Sequence, residues 1–520
     1  MRAPDLEALV ARASDLTREF IAASREPIDE AIRSEIFGPE RFLQHARSLA
    51  EAQPSGHAPG DGGFFPRIAH NARVLRHAHR LIGSYSRAGQ SVTPAAEWLL
   101  DNFHLVEAQL LAIREGLPRG YYRKLPKLTS EPLRGLPRIY GIAWAFVAHT
   151  DSDLDLDLLR RFVDAYQEVD ELEIGELWAL PTTLRVVLIE NLRRIAERIA
   201  ANKAVGELAD LCCDAEGTLS TATLERAAAC ADARGVLHAF LSQIYQRLHH
   251  AEARHFEVIR QWLAASGADP AQALSEMHAR QTIANVTVRN IMTSLRRIGG
   301  ADWKGVVELL SSVDRVFAAT PPFRQDDFET RDQCRHTVEG MARRARVTER
   351  RVAEAVLART RAPGADTLRC HPAYFLLGAG RPELERDLRV SAPFWHRVAR
   401  LPVSARLTLY LGIVALLTTA VIAAALHGSE ANSIVIVMAA VLCAVPASEF
   451  AISLVNRVVS ESARPQRLAR KDYAKGLPPD ARVLVVIPTL LTSADGVERL
   501  ARRLELHYLA NPDEQAQLRC

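Results

Sequence analysis

Residues Leu407–Leu426 form an uncharged run of 20, LTLYLGIVALLTTAVIAAAL, and a second run follows from Asn432 to Ser448. A helix needs about 20 apolar residues to cross the hydrocarbon core of a bilayer. In lipid every backbone polar group must be satisfied internally, which leaves these segments little choice but helix. The expectation is a membrane protein whose two spans come late in the chain, after a long water-soluble region. Pro446, inside the second run, removes one helix hydrogen bond and predicts a kink. Glu449 ends the run; its expected place is the membrane interface, paired with Arg457 or a lipid headgroup. The other reading is a functional carboxylate at membrane depth.

Charge sets the expected topology. Ser391–Arg406 carries Arg397, Arg400 and Arg406 and no acid. Asn456–Lys475 carries Arg457, Arg464, Arg467, Arg470, Lys471 and Lys475 against Glu461 and Asp472. The connection His427–Asn432 holds only Glu430. Basic residues near span ends favour the cytoplasmic side. The pair therefore reads as a multi-pass helical hairpin with both soluble regions and both termini cytoplasmic and the lipid bilayer as a partner. Met1–Ala50 has charges every few residues and lacks the apolar core of a secretory signal, in keeping with a cytoplasmic N-terminal region.

A length of 520 residues exceeds one domain of about 100–200 residues. The net charge of +3 is small for that length and argues against nucleic acid as a partner. The cysteines are scattered and include no C-x-x-C, which argues against a disulfide framework or a zinc site. Cys212–Cys213 is a vicinal pair; two buried thiols at a helix end is the simpler reading than redox chemistry.

Before residue 390 the periodicity is helical. Leu184, Val187, Leu188, Leu192, Ile195 and Ile199 fall on one face of a helix. Arg185, Glu190, Arg193, Arg194, Glu197 and Arg198 take the other, with Glu190–Arg194 as a favourable i,i+4 pair. Thr93-Pro94 is a helix start, Thr as cap and Pro at the first position, with the helix expected to run to about Glu115. Other helices are expected over Pro4–Ala23, Arg67–Ile82, Leu154–Glu168, Arg234–His249, Ala251–Ala265, Ile283–Ile298, Trp303–Phe317, Phe328–Arg346 and Thr348–Thr360. The loop Pro54–Pro66 separates an N-terminal helical hairpin (1–53) from a cytoplasmic helical region (67–390) with room for two subdomains. The spans occupy 403–456.

Chemical motifs in the helical part are sparse. Glu252-x-x-His255 is half of a carboxylate-bridged di-iron motif, which needs a second copy and further glutamates. His249, His250, His255, His70, His77 and His79 read instead as solvated helix faces. Arg343, Arg344, Arg346, Arg350 and Arg351 form a basic cluster whose simplest reading is solvated surface, with anionic lipid or nucleotide contact behind it. From Arg482 the pattern changes. Arg482–Pro488 is a short β-branched run that reads as a buried parallel strand. The loop Leu491–Gly496 and an amphipathic helix, Val497–Leu509, follow. This is the opening β-α unit of an α/β domain over 481–520, incomplete after one strand and one helix, with ligands expected just past the strand's carboxyl end.

AEWLLDNFHLVEAQL (Ala96–Leu110), LPRGYYRKLPKL (Leu117–Leu128), IGELWALPTTLRVVLIENLRRIA (Ile174–Ala196) and Val483–Gln515 together resemble the N-terminal part of bacterial cyclic β-1,2-glucan synthases. Phe328–Arg343 and His371–Glu385 resemble the same family, and the segments run in the family's order. The resemblance implies a large inner-membrane glycosyltransferase that polymerises glucose from UDP-glucose and cyclises the product. It implies that Val483–Gln515 starts the nucleotide-sugar glycosyltransferase domain, with Pro488 and Thr489 near the uridine. It also implies a divalent metal, Mg or Mn, in the full-length enzyme, held by carboxylates with no counterpart here. No catalytic or metal-binding residue is carried over, and this chain is expected to bind no metal and to be inactive alone. The remainder of a split synthase is a further expected partner. Two competing readings are a non-catalytic membrane-anchored helical scaffold and a metal-dependent helical enzyme resting on Glu252-x-x-His255 alone.

Overall fold

The structure, a computed structural model, describes residues 6–14, 17–18, 27–57, 63–215, 219–249, 255–267, 269–362, 368–391, 397–398, 400–427, 432–462, 468–474, 476–486, 493–510, 512–513 and 515–519. The fold is mainly α, and it divides into two units, Met1–Ser312 and Val313–Cys520.

The first unit is organised around one helix of 40 residues, Ile174–Cys213, roughly 60 Å long at 1.5 Å per residue. A capping box starts it: Glu173 and Glu176 reciprocally satisfy the first free N–H groups. The predicted apolar stripe is there, with Leu184, Val187, Leu188, Leu192 and Ile195 all buried. The expected solvent face is not. Glu190 and Arg193 are also buried, because further helices pack on that side. Phe64–Arg87, Arg138–His149 and Leu237–His249 all lie against this helix. The polar side is kept by charge pairing. Tyr140 OH and Arg67 Nε donate to Glu190 Oε2 at 2.9 and 2.8 Å, and Arg194 donates to Oε1 at 2.9 Å. A second buried pair, Arg138–Glu176, seats the helix start, with Arg138 Nε 2.9 Å from Glu176 Oε1.

Two apolar clusters lie along this helix. The first ends at Ala200 and holds an aromatic group of Phe42, Phe146 and Phe162. The second begins at Ala201 and includes Leu9, Cys212, Cys213, Phe240 and Trp262. Asn191 clamps the extended segment before residue 38, accepting from Ile32 N at 2.7 Å and donating to Ile32 O at 3.2 Å. Asp151 and Ser152 have positive φ (47° and 65°), a region that disfavours residues bearing a Cβ. Thr287, Asn290 and Ser294, all on the helix Pro270–Gly300, hold this turn through hydrogen bonds.

Two expected helices are each broken in two. Thr93 caps Ala96 N as predicted, but the helix stops at Asp101 and restarts at Phe103. Asn102 Nδ2 takes the Trp98 carbonyl, and such local side-chain bonds compete with helix. The Trp303–Phe317 helix breaks at Ser311, where Gln167 Nε2 captures the Leu310 carbonyl at 3.0 Å. At the N-terminus Leu6–Arg12 is helical and contacts the central helix, while Pro39–Ala52 packs on Leu156–Gln167. The rest of the predicted Pro4–Ala23 helix lies largely outside the described residues.

The second unit pairs the helices Phe328–Ala345 and Glu349–Thr360 across Arg346, which adopts the left-handed conformation. Arg335, on the first of them, is fully buried and donates to Asp314 at 2.7 and 3.0 Å. Among the described residues two helices are long and apolar enough to cross a membrane, Val403–Leu426 and Ser433–Glu461. They pack on each other, and the second runs on through Pro446. Both outer flanks return to the same small helical cluster. Arg400 pairs with Glu385 at 2.7 Å, before the first long helix. After the second, Asp327 N donates to Arg470 O at 2.8 Å and Asp472 N to Gln325 O at 2.7 Å.

The C-terminal segment differs from expectation in two ways. Val483–Val486 pairs in parallel with a second strand, Ala516–Arg519, so a β-α-β unit is present rather than one strand and one helix. All four residues of the first strand are exposed, where a buried strand was expected; among the described residues no second sheet or helix layer covers them besides the helix Ala494–Ala510.

Candidate functional site

Pro488 and Thr489, the expected nucleotide-sugar contacts, lie outside the described residues. The described strand Val483–Val486 ends two residues before Pro488, and ligands in open α/β sheets bind past the carboxyl ends of strands. Asp513 ties the unit together, accepting from Leu477 N at 2.7 Å and Gln515 N at 2.8 Å.

Glu252 and His250 lie outside the described residues, and His255 hydrogen-bonds the Ala215 carbonyl through Nε2 at 3.0 Å. His79 stacks on Phe103, 3.8 Å between ring centres, and His70 is exposed. Among the described residues no three His, Cys, Asp or Glu side chains converge as donors to one ion. Burial pushes the Cys212 thiol up to about 12 and Cys213 to about 11, which leaves both protonated and unreactive. In the basic cluster Arg343 pairs with Glu339 at 2.6 Å and Arg350 with Glu354 at 2.9 Å, each on an exposed helix face.

Glu449 lies on the second of the two apolar helices. Tyr410 OH donates to Asn456 Oδ1 at 3.1 Å, which fixes the register of the antiparallel helix pair. That register (410 + 456 − 449) sets Glu449 level with Leu417, at the middle of the uncharged run Leu407–Leu426. Arg457, the expected partner, is eight residues on (457 − 449), about 12 Å along the helix, and pairs with Glu461 at 3.0 Å. Ala447, Ala451 and Val455 face the first helix and are buried, whereas Glu449 is exposed on the opposite side.

The first unit contains a cavity of about 900 Å³. Its walls come from the stretch of the central helix where the two apolar clusters meet, the segment 30–34, the turn after Tyr85, and the helices Leu237–His249 and Pro270–Gly300. Arg194 and Arg198, assigned to a solvated face from their spacing, both line it. One wall carboxylate is saturated. Glu207 accepts from Ser14 N and Oγ, Thr17 Oγ1 and Tyr85 OH. Burial raises its pKa, but these donors outweigh burial and hold it below the usual carboxylate value. Burial pushes Tyr85 up to about 12. No local motif announces this site, because its side chains come from segments far apart in sequence.

Over 526 aligned residues the chain is 34% identical to the cyclic β-(1,2)-glucan synthase NdvB of Rhizobium meliloti (strain 1021). The match covers 96% of this chain and 18% of that protein, so the chain spans less than a fifth of the relative's length. No family model matches the chain.

Proposed function

We propose, from a similarity that runs through nearly the whole chain, that this is the N-terminal, membrane-anchoring part of a cyclic β-1,2-glucan synthase using UDP-glucose. That similarity carries the reading. Two features of the chain support it. The β-α-β unit leaves an apolar strand, Val483–Val486, exposed on its faces, the surface that further layers of an α/β transferase domain would cover. A pure scaffold has no use for that unit.

The two apolar helices are proposed to anchor the protein in a bacterial inner membrane as a hairpin. The cytoplasmic assignment of both flanks rests on their basic residues. The tie of Arg400 and Arg470 to one helical cluster supports a common side. Pro488 and Thr489 would lie on the uracil side of the donor. Stabilising a leaving diphosphate requires a metal or cationic clamp. In the full-length enzyme Mg or Mn would serve, held by carboxylates beyond this chain.

A radiolabelled UDP-glucose assay in membranes tests the reading. The 520-residue chain is expected to give no transfer, and the same chain joined to the rest of a synthase is expected to give glucan. Turnover by the short chain alone would overturn the division of labour proposed here. Absence of glucan from the joined chain, well folded, would favour the scaffold.

A further inference from the structure

We propose that the cavity beside Arg198, Lys203 and Arg280 is a binding site for a small phosphorylated anion. The site belongs to the helical unit and stands whether or not the chain takes part in glucan synthesis.

The argument begins with charge pairing. Five cations line the cavity: Arg33, Arg194, Arg198, Lys203 and Arg280. Arg194 is satisfied by Glu190, and Arg33 lies 3.6 Å from Asp151. The other three have no carboxylate within ion-pair distance among the described residues. Lys203 Nζ donates only to the Ser91 carbonyl at 2.6 Å. Arg198 NH2 donates to the carbonyls of Ile28 and Asp29 at 3.2 and 3.3 Å. Of the acids on the wall, Glu207 is saturated by hydroxyl and amide donors, and Asp210 is held by Gln243 at 2.8 Å. Glu30 remains, too exposed and too distant to close a pair with Arg198. Three unpaired cations thus face one unpaired carboxylate.

Such an excess is costly in a partly desolvated site unless an anion shares it. Burial and then Arg280 hold the Arg198 pKa below its ordinary value, and burial lowers Lys203. His238 is pulled down by burial and by Arg280 and Arg198, and its Nε2 is buried without a partner. The donors suit phosphate. A guanidinium offers a planar fork for two oxygens and an ammonium a compact point charge. The volume is within the range of small-molecule sites, about 300–1,000 Å³. Gln246 and Gln281 add amides, and Ile199 and Met277 add apolar wall for an organic portion.

The test uses the whole chain in zwitterionic nanodiscs at low salt, with calorimetric titration of three probes. Inorganic pyrophosphate and uridine monophosphate represent a soluble source, and dioctanoyl phosphatidylglycerol a lipid headgroup. Saturable one-site binding is expected, weakened about tenfold by Lys203→Met and by Arg280→Gln, the loss of one charge-assisted bond. It should also weaken as salt is raised. Arg280 is exposed and makes no hydrogen bond among the described residues, so Arg280→Gln should keep the native melting curve and decides the matter if Lys203→Met misfolds. Binding of the soluble probes alone assigns a soluble phosphate; binding of the lipid alone assigns a headgroup. Failure of all three probes to bind, or binding unaltered in Arg280→Gln, would overturn the proposal.

Discussion

The helix Ile174–Cys213 and the helices Val403–Leu426 and Ser433–Ser462 invert one another. The first is studded with Glu, Asp, Arg and Lys and is largely buried. The other two are almost wholly apolar and exposed, with Leu416 at 70% and Leu442 at 75%. Burial within the chain therefore does not track hydrophobicity. It tracks whether a side chain can be satisfied where it lies: Glu190 by three donors inside protein, Leu416, under the membrane anchoring proposed above, by hydrocarbon outside it.

Removing the satisfaction inside the first helix should have the largest effect. Glu190→Ala leaves Arg67, Arg194 and Tyr140 facing an empty site. It should cost about 3–5 kcal/mol, the usual price of breaking a buried pair. Denaturant unfolding of the chain in detergent reads it; a loss under about 1 kcal/mol would show that packing alone seats this helix. The pH dependence has a definite sign. Burial raises the Glu190 carboxyl, but Arg67 and then Arg194 outweigh it, leaving its pKa below the ordinary 4.5. A depressed carboxyl contributes stability that is present above 4.5 and lost as pH falls through the lower folded value. Glu190→Gln should flatten the stability curve in that acid window and leave it parallel to wild type at neutral pH.

The opposite half of the comparison is broken by putting charge on the exposed apolar side. Leu416→Lys should lower membrane integration by about 3 kcal/mol, read as the carbonate-resistant fraction. Leu111→Lys, on a residue 56% exposed in the first unit, should change stability by less than about 0.5 kcal/mol. Equal effects would mean that the two exposed leucines share one solvent. Glu449 sharpens the same contrast from within. Glu449→Leu should favour integration by roughly 2.5 kcal/mol if the carboxylate lies at mid-span. No change would return it to the interface. The smallest effect belongs to Arg457→Ala, which breaks a pair exposed on both sides and should cost under about 0.5 kcal/mol.

The sequence made some of this legible and hid the rest for identifiable reasons. Local signals survived: the Thr93 cap, the apolar stripe from Leu184, and the uncharged runs. The stripe could not say that the opposite face was buried too, because that depends on helices contributed from Phe64, Arg138 and Leu237 onward. The breaks at Asn102 and Ser311 depend on side-chain bonds, one of them reaching from Gln167 across the unit. The level of Glu449 along the first apolar helix needed the Tyr410–Asn456 contact, since the run of uncharged residues marks its own end but not its level against a partner. The cavity cations were visible singly as surface charges. Their lack of partners is a property of the assembled unit.

The strap that joins Arg470, Lys471 and Asp472 to Gln325–Thr330 has a consequence for the order of events during synthesis. The residues it docks on are translated first, and the strap itself emerges only after both long helices have left the ribosome. At about 5–20 residues per second the interval from Asp326 to Lys471 (471 − 326 residues) is roughly 7–30 s. Through that interval Asp327 N and Thr330 Oγ1 wait without the backbone partners they finally take. The helical cluster around Arg335 is thus a receiver whose last piece is translated only after the two long apolar helices, and its completion reports that both have been made.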